Sequence, residues 1–291
     1  MNQLARATIE PDELRLALRG LPLCEPEELE HAAGFARLVR VLVSAPLLGL
    51  GVLAAAAGFA AGHGFLGLLA SVTTALVVGA LRDDTRINAS LELLEKGELH
   101  GAEAGMRNVA ESHNRPLPQR QRARGYLVAI AWARADHREA LRWIQARNAA
   151  LADQTRVPLD ERYASLATEV QLLALLGRAE EARARLADLP PCPPTEAFAA
   201  LAAQTTLLVA FASDDAEAVA DHLDAWEARF APHDRLGLLT CLLAWARDAL
   251  GQRDAARWIV ERGPERTAFV ERHCPRLAQW RRTFDATRRY G

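Results

Sequence analysis

Hydrophobic and polar positions divide the chain into two stretches of different character. Residues 41–81 contain no Asp, Glu, Lys or Arg, and His63 is the single ionisable side chain among them. After residue 97, apolar residues recur at helical spacing and are separated by short polar turns. We find no sustained alternation of apolar and polar residues, which a half-buried strand would require. The pattern therefore predicts an all-α chain in which a strongly apolar segment precedes a series of amphipathic helices.

The apolar segment is long enough for two membrane-spanning helices. A single helix through 41–81 would be about 61 Å long at about 1.5 Å per residue, whereas the hydrocarbon core of a bilayer is about 30 Å thick. Glycine, histidine and glycine at 62–64 interrupt the run near its middle. We therefore expect a transmembrane hairpin of two helices, 41–61 and 65–81.

A signal peptide and a soluble helix pair both fit the apolar run less well than a membrane hairpin does. A signal peptide is excluded because the run is too long and starts too late in the chain. A soluble helix pair would need a charged face in contact with water, which the run lacks.

The second span is expected to continue into the first repeat helix. No glycine or proline lies between residues 82 and 96 to interrupt a helix there.

Charged residues on either side of the hairpin predict its orientation. Arg37 and Arg40 precede the first span, Arg82 and Arg86 follow the second, and the connecting loop carries no permanent charge. An excess of arginine marks the cytoplasmic side of a membrane. We therefore expect a multi-pass protein of the inner (cytoplasmic) membrane, with both termini in the cytoplasm and residues 1–40 forming cytoplasmic helices.

A turn residue followed five positions later by alanine recurs along the rest of the chain. The five instances are Gly97 with Ala102, Ala135 with Ala140, Gly177 with Ala182, Ser213 with Ala218, and Gly251 with Ala256. Successive alanines are 38, 42, 36 and 38 residues apart. Four residues beyond each alanine lies an apolar residue, except at His222. This spacing predicts about five antiparallel helix pairs, each of which buries its alanine at the hinge and stacks on the next pair.

The sequence around two of these turns resembles the tetratricopeptide repeat. The clearest stretch is Leu172–Arg183, which reads LLALLGRAEEAR, and Gly251–Ala256 is similar to part of it. The resemblance implies a right-handed α-solenoid over 82–262, capping helices at 263–291, and a groove that binds protein partners. By position in the repeat it also implies a basic rim and a groove lining. The rim residues are Arg120, Arg122 and Arg124, and the lining residues include Gln171, Leu207 and Trp245. The other interpretation of the lining positions is close packing between helices or a different register of the repeat.

Composition and motifs argue against several classes of functional site. The net charge is −2, so no overall basic field attracts nucleic acid. The four cysteines are scattered without a C-x-x-C pair, which is typical of reduced, buried thiols in a cytoplasmic protein. We find no zinc-ligand spacing, nucleotide-binding fingerprint or hydrolase motif. We therefore expect no catalytic, metal or cofactor site.

These patterns favour a bacterial membrane-anchored scaffold or adaptor that holds an unknown protein partner on its cytoplasmic repeats. The alternative is an oligomeric component of a membrane complex. Small residues lie four apart through the second span and allow close helix contacts, either between the two spans of one hairpin or between copies of the chain. Those residues are Gly67, Ser71, Ala75 and Gly79. An enzyme with an unrecognised site is the least favoured function. The basic residues at 276–289 leave contact with anionic lipid open.

Overall fold

A computed structural model describes the chain from residue 87 onwards, with short gaps. The described residues are 87–94, 96, 98–152, 154, 157–231, 234, 237–263 and 268–289. Of these, 82% are helical and none lies in a strand, which confirms the all-α prediction over this part of the chain. The predicted cytoplasmic helices of 1–40 and the hairpin at 41–61 and 65–81 lie outside the described residues, as does the hairpin's junction with the first repeat helix.

Twelve helices follow a helical stretch at 87–94 along the described residues. The α-helices are α1 (Leu99–Glu111), α2 (Leu117–Ala133), α3 (His137–Ala152), α4 (Leu159–Leu175), α5 (Ala179–Ala187), α6 (Glu196–Ser213), α7 (Leu223–Phe230), α8 (Leu238–Ala249), α9 (Arg253–Arg262), α10 (Ala268–His273) and α11 (Pro275–Arg289). A 3₁₀-helix, Glu217–His222, lies between α6 and α7. Short turns join these helices into successive pairs.

The chain divides into two compact units inside α2, between Ile130 and Ala131. In the first unit, α1 packs closely on the helical stretch at 87–94. A Cβ atom on Gly105 would lie 2.1 Å from the Ser90 hydroxyl oxygen, so a larger residue at 105 would force the Ser90 side chain to move. Large apolar side chains on the stretch at 87–94 and on α1 are buried. They include Ile87, Leu91, Leu94, Met106 and Val109.

In the second unit, the first helices of three successive pairs pack on one another. Helix α4 packs against α6 and α6 against α8, and α8 also packs against the C-terminal helix α11. The companion helices α5 and α9 pack on α4 and α8, and α3 also packs on α4. Leucines of the central helices are almost completely buried. They are Leu172 and Leu173 on α4, Leu207 and Leu208 on α6, and Leu242 and Leu243 on α8. This stacking is consistent with an all-helical repeat fold.

Four of the turns inside the helix pairs share one backbone conformation. In each, a residue just after the first helix has a left-handed φ angle. These residues are Ala135 (φ +56°), Gly177 (+74°), Asp214 (+52°) and Gly251 (+78°). The N–H group of the next residue donates to the carbonyl oxygen five positions earlier, for example from Arg178 to Leu173 at 2.9 Å. This hydrogen bond is the Schellman motif, which satisfies carbonyl groups at the end of a helix.

The shared turn places a small side chain at the same point of each second helix. Five positions beyond the left-handed residue, Ala140, Ala182 and Ala256 are completely buried. Ala102, five positions beyond residue 97, is also completely buried. A methyl side chain allows the two helices of a pair to approach closely near their hinge. The spacing of turn residues and alanines along the sequence therefore predicted these buried positions correctly.

The fourth pair departs from the predicted register by one residue. Its left-handed residue is Asp214, one position later than the spacing predicted. As a result Val219 is completely buried, whereas the predicted Ala218 is exposed. Four residues further, Leu223 is buried and His222 is exposed. The prediction for this pair is therefore wrong in register, and the shift explains why His222 breaks the apolar pattern.

Among the described residues, α6 is the one helix long and apolar enough to cross a membrane. It meets this criterion by length and composition alone. In the structure α6 packs between α4 and α8, where Leu207, Leu208 and Phe211 are buried. Its apolar composition therefore follows from its place in the core of the second unit.

Candidate partner-binding cleft

A cleft opens in the second unit where α7, α8 and α9 meet. Its volume is about 700 Å³, which lies within the range of about 300–1,000 Å³ that is usual for binding sites. Alanines of α7 and α9 form much of its apolar wall. The side chains that give the cleft its chemistry are Asp224, Glu227, Thr240, Arg247, Trp258 and Arg262.

Arg247 ties α7 to α8 on one side of the cleft. Its guanidinium donates to Asp224 Oδ1, to Glu227 Oε2 at 3.1 Å, and to Gln252 Oε1 at 2.7 Å. Burial acts to lower the pKa of Arg247, but the hydrogen bonds to the two carboxylates outweigh it and raise the pKa above its ordinary value. The Arg247 Nε atom is buried and has no hydrogen-bond partner. The arginine is therefore a permanent cation that holds this side of the cleft in place.

Trp258 and Arg262 form the open side of the cleft on α9. The Trp258 side chain is 47% exposed, and the Arg262 guanidinium carbon lies 4.2 Å from the centre of its ring. This cation–π contact orients the indole and keeps the cation beside an apolar surface. No described carboxylate forms an ion pair with Arg262, which is exposed. The pair therefore presents a large aromatic face and an available positive charge together.

Thr240 contributes a buried hydroxyl group to the cleft. The residue is 2% exposed, and its Oγ1 atom has no hydrogen-bond partner. Its backbone N–H donates to Asp234 Oδ2 at 2.7 Å and so caps the first turn of α8. Its methyl group faces Gly263, where a Cβ atom would lie 2.7 Å from Thr240 Cγ2. Glycine at 263 therefore allows α9 to end directly against this residue.

The residues predicted to line a groove lie instead in the packed interior of the second unit. Gln171 is buried and donates to Thr205 Oγ1 at 2.9 Å, which joins α4 to α6. Leu207 is completely buried. Trp245 packs edge-on against Phe211, with ring centres 5.0 Å apart. At these positions the three side chains stabilise the contacts between successive first helices.

The predicted basic rim lies on α2, in the first unit. Arg122 is exposed and its Nε donates to the Tyr126 hydroxyl at 3.4 Å, while Arg120 and Arg124 are half-buried. Burial lowers the pKa of Arg124, and the neighbouring charge of Arg120 lowers it further. Three like charges thus lie within two helical turns, and their role in partner binding stays a prediction.

Sequence reasoning missed the cleft, although one signal for it is present. Ala256 and Ile259 mark the buried face of α9. Trp258 and Arg262 lie four positions apart on the opposite, solvent-facing side. A tryptophan at a position that helical periodicity leaves exposed is the feature that could have pointed to this cleft.

Two histidines that are distant in sequence meet in a partly buried aromatic cluster. His137 Nε2 lies 3.2 Å from His273 Nδ1, at the start of α3 and the end of α10. The ring of His273 stacks on Phe269 at 4.3 Å and on Trp132 at 5.8 Å. Burial lowers the pKa of His273 to about 3, with further repulsion from His137 and Arg272. Burial also lowers the pKa of His137, against the attraction of Asp136. Both rings are therefore neutral near pH 7.

A separate polar cluster joins α3, α4 and α5 around the buried carboxylate of Glu169. Asn148 Nδ2 donates to Glu169 Oε2 at 2.6 Å, and Gln145 Nε2 donates to Oε1 at 3.3 Å. Arg185 Nε lies 3.6 Å from Oε1, and the Ser165 hydroxyl donates to Asn148 Oδ1. Both carboxylate oxygens have partners. The cluster therefore fixes how the three helices pack, and leaves no group free for a ligand.

Comparison with protein-family models, with curated proteins and with solved structures gives no match to this chain, so its likeness to the tetratricopeptide repeat stays a prediction drawn from its own residues.

Proposed function

We propose that the chain is a membrane-anchored adaptor that holds a protein partner on a tetratricopeptide-like array of helix pairs. The cleft between α7, α8 and α9 supports this proposal most directly. It presents Trp258 and Arg262 side by side, and tryptophan and arginine are the residues that most often carry binding energy at protein interfaces. The charge-free run at 41–81 supports the membrane anchor.

The stacked helix pairs of the second unit provide a rigid support for such a site. The Trp258 side chain lies on α9, which packs on α8, and α8 packs on α6 and α11. A binding residue on rigid elements keeps its geometry when a partner arrives, which lowers the entropic cost of association. A helical array with an exposed aromatic anchor is therefore suited to partner binding.

The alternative function is an oligomeric component of a membrane complex. Small residues spaced four apart through 65–81 support it, because such spacing lets helices pack closely within a bilayer. In this case a second copy of the chain is the expected neighbour of each molecule. The two functions therefore differ in which protein lies next to the cleft.

A photoreactive amino acid at position 258 of the full-length protein, in its own membrane, tests the proposal. Position 159 is a matched control, because Leu159 on α4 is 44% exposed and is the other exposed large apolar side chain among the described residues. We expect position 258 to form an adduct with one other protein and position 159 to form none. An adduct between two copies of the chain would favour the oligomer. The absence of an adduct at 258, or the same products at both positions, would refute the assigned site.

A further inference from the structure

We propose that the cleft recognises an acidic peptide segment of the partner, in which Asp or Glu lies next to a bulky apolar side chain. This inference depends on the proposed function, which places a protein partner in the cleft. It goes beyond that function by naming the chemistry that the partner must present.

The guanidinium of Arg262 is the cation that the cleft leaves available to an occupant. It is exposed and is paired with no described carboxylate. The Thr240 hydroxyl and the Arg247 Nε–H group also lack partners, but they have almost no accessible surface, so an occupant of the cleft does not reach them. A carboxylate next to the Arg262 guanidinium would accept a charge-assisted hydrogen bond from it. The side chains of Asp and Glu are the carboxylates that a peptide segment offers.

Charges in the cleft favour an acidic occupant over a basic one. The carboxylates of Asp224 and Glu227 already accept hydrogen bonds from Arg247. A basic segment would compete with Arg247 for both carboxylates and would repel Arg262. An acidic segment leaves these ion pairs intact and adds a partner for Arg262. The cleft contains two carboxylates and two arginines. Both carboxylates are paired with Arg247, so the unpaired charge is the positive charge of Arg262.

The wall of the cleft beside Arg262 indicates that the peptide also presents an apolar side chain. Trp258 exposes 47% of its side chain, next to the alanine surface of Ala228 and Ala255. Small side chains on that wall leave room for a bulky group, and its contact with the indole removes apolar surface from water. Because Arg262 lies directly over the Trp258 ring, the carboxylate and the apolar side chain of the occupant must be neighbours.

Selection of random linear peptides on the full-length protein in nanodiscs tests this preference. We expect the retained peptides to be enriched in Asp or Glu beside Leu, Phe or Trp. Trp258→Ala should weaken their binding by about tenfold or more, as for a central aromatic anchor. Arg262→Glu should shift the enrichment from acidic to basic residues. Arg257→Glu is the matched control, because it changes the charge of α9 equally at an exposed position outside the cleft, and should leave the enrichment unchanged.

The outcomes separate this inference from the proposed function. Peptides that depend on Trp258 but show no acidic enrichment would overturn the inference and leave the partner-binding cleft in place. A selection in which no retained peptide depends on Trp258 would overturn both. A dimer that forms in the wild type and is lost in Trp258→Ala, measured by light scattering, would identify a second copy as the occupant and also overturn the inference. Because Trp258 and Arg262 are exposed, their substitution leaves the core of the unit intact.

Discussion

The contact between buried His273 and half-buried His137 should make the second unit sensitive to mild acid. At 3.2 Å, one ring nitrogen must donate and the other accept, so the accepting imidazole must be neutral. A proton on His273 would place a charge among Trp132, Phe269 and His137, where water does not reach it. The folded state therefore resists protonation, which lowers the pKa of His273 to about 3.

The size of the effect follows from the difference between the folded and unfolded states. In the unfolded chain a histidine has a pKa of about 6.5 and binds a proton that the folded state excludes. Stability is therefore fully present above pH 6.5 and is lost as the pH falls towards 3, at about 1.4 kcal/mol per pH unit. Between about pH 7.5 and about pH 5, His273 alone should reduce the free energy of unfolding by about 2 kcal/mol. The lowered pKa of His137 acts in the same direction.

Urea unfolding of the full-length protein in mild detergent, followed by far-UV circular dichroism at both pH values, measures this loss. The variant His273→Phe keeps a planar ring against Phe269 but cannot bind a proton. We expect it to lose about 2 kcal/mol less than the wild type on acidification, whatever its stability near pH 7. His222→Gln, at an exposed position in the same unit, should retain the wild-type pH dependence. An identical pH dependence in His273→Phe and the wild type would refute the assignment.

Two further substitutions test the turn geometry by thermal and urea unfolding. Ala182→Leu should destabilise the protein by about 1–3 kcal/mol because it overfills a completely buried hinge, whereas Ala218→Leu should change stability by less than about 0.5 kcal/mol because Ala218 is exposed. A larger loss from Ala218→Leu would contradict the one-residue shift in the fourth pair. Ala135→Gly should stabilise the protein by up to about 1 kcal/mol because it relieves a left-handed φ of +56°. The same change at Ala149, an exposed position within α3, should cost about 1 kcal/mol, and equal effects at the two positions would argue against the left-handed turn.

Local patterns along the chain were sufficient to predict the helices and most of their turns. Glycine at 177 and 251 adopts a positive φ without strain, and alanine five positions later fits the close approach of two helices. Both signals depend on residues close together in the chain, so they can be recognised in the sequence without knowledge of the tertiary contacts. The fourth pair shows the limit of this reasoning. There Asp214 takes the left-handed conformation, and Val219 rather than the nearby alanine fills the hinge.

The side of each helix that faces a neighbour was decided only by the tertiary structure. Gln171, Leu207 and Trp245 lie at groove positions by their place in the repeat, but stacking of α4, α6 and α8 buries them. The exposed Trp258 has the same chemical character as the buried Trp245, and only its position on the outer side of α9 makes it available to a partner.

Over the described residues, the sequence by itself determined that the chain is helical, that its helices come in pairs, and where three of the four left-handed turns inside those pairs lie. These properties depend on residues close together in the chain, through backbone conformation and helical periodicity. The tertiary structure alone brought His137 to His273 and placed Arg247 between the carboxylates of Asp224 and Glu227. Such contacts join residues that are far apart in sequence, so no local pattern records them, and the cleft and the histidine pair arise only when the helices pack.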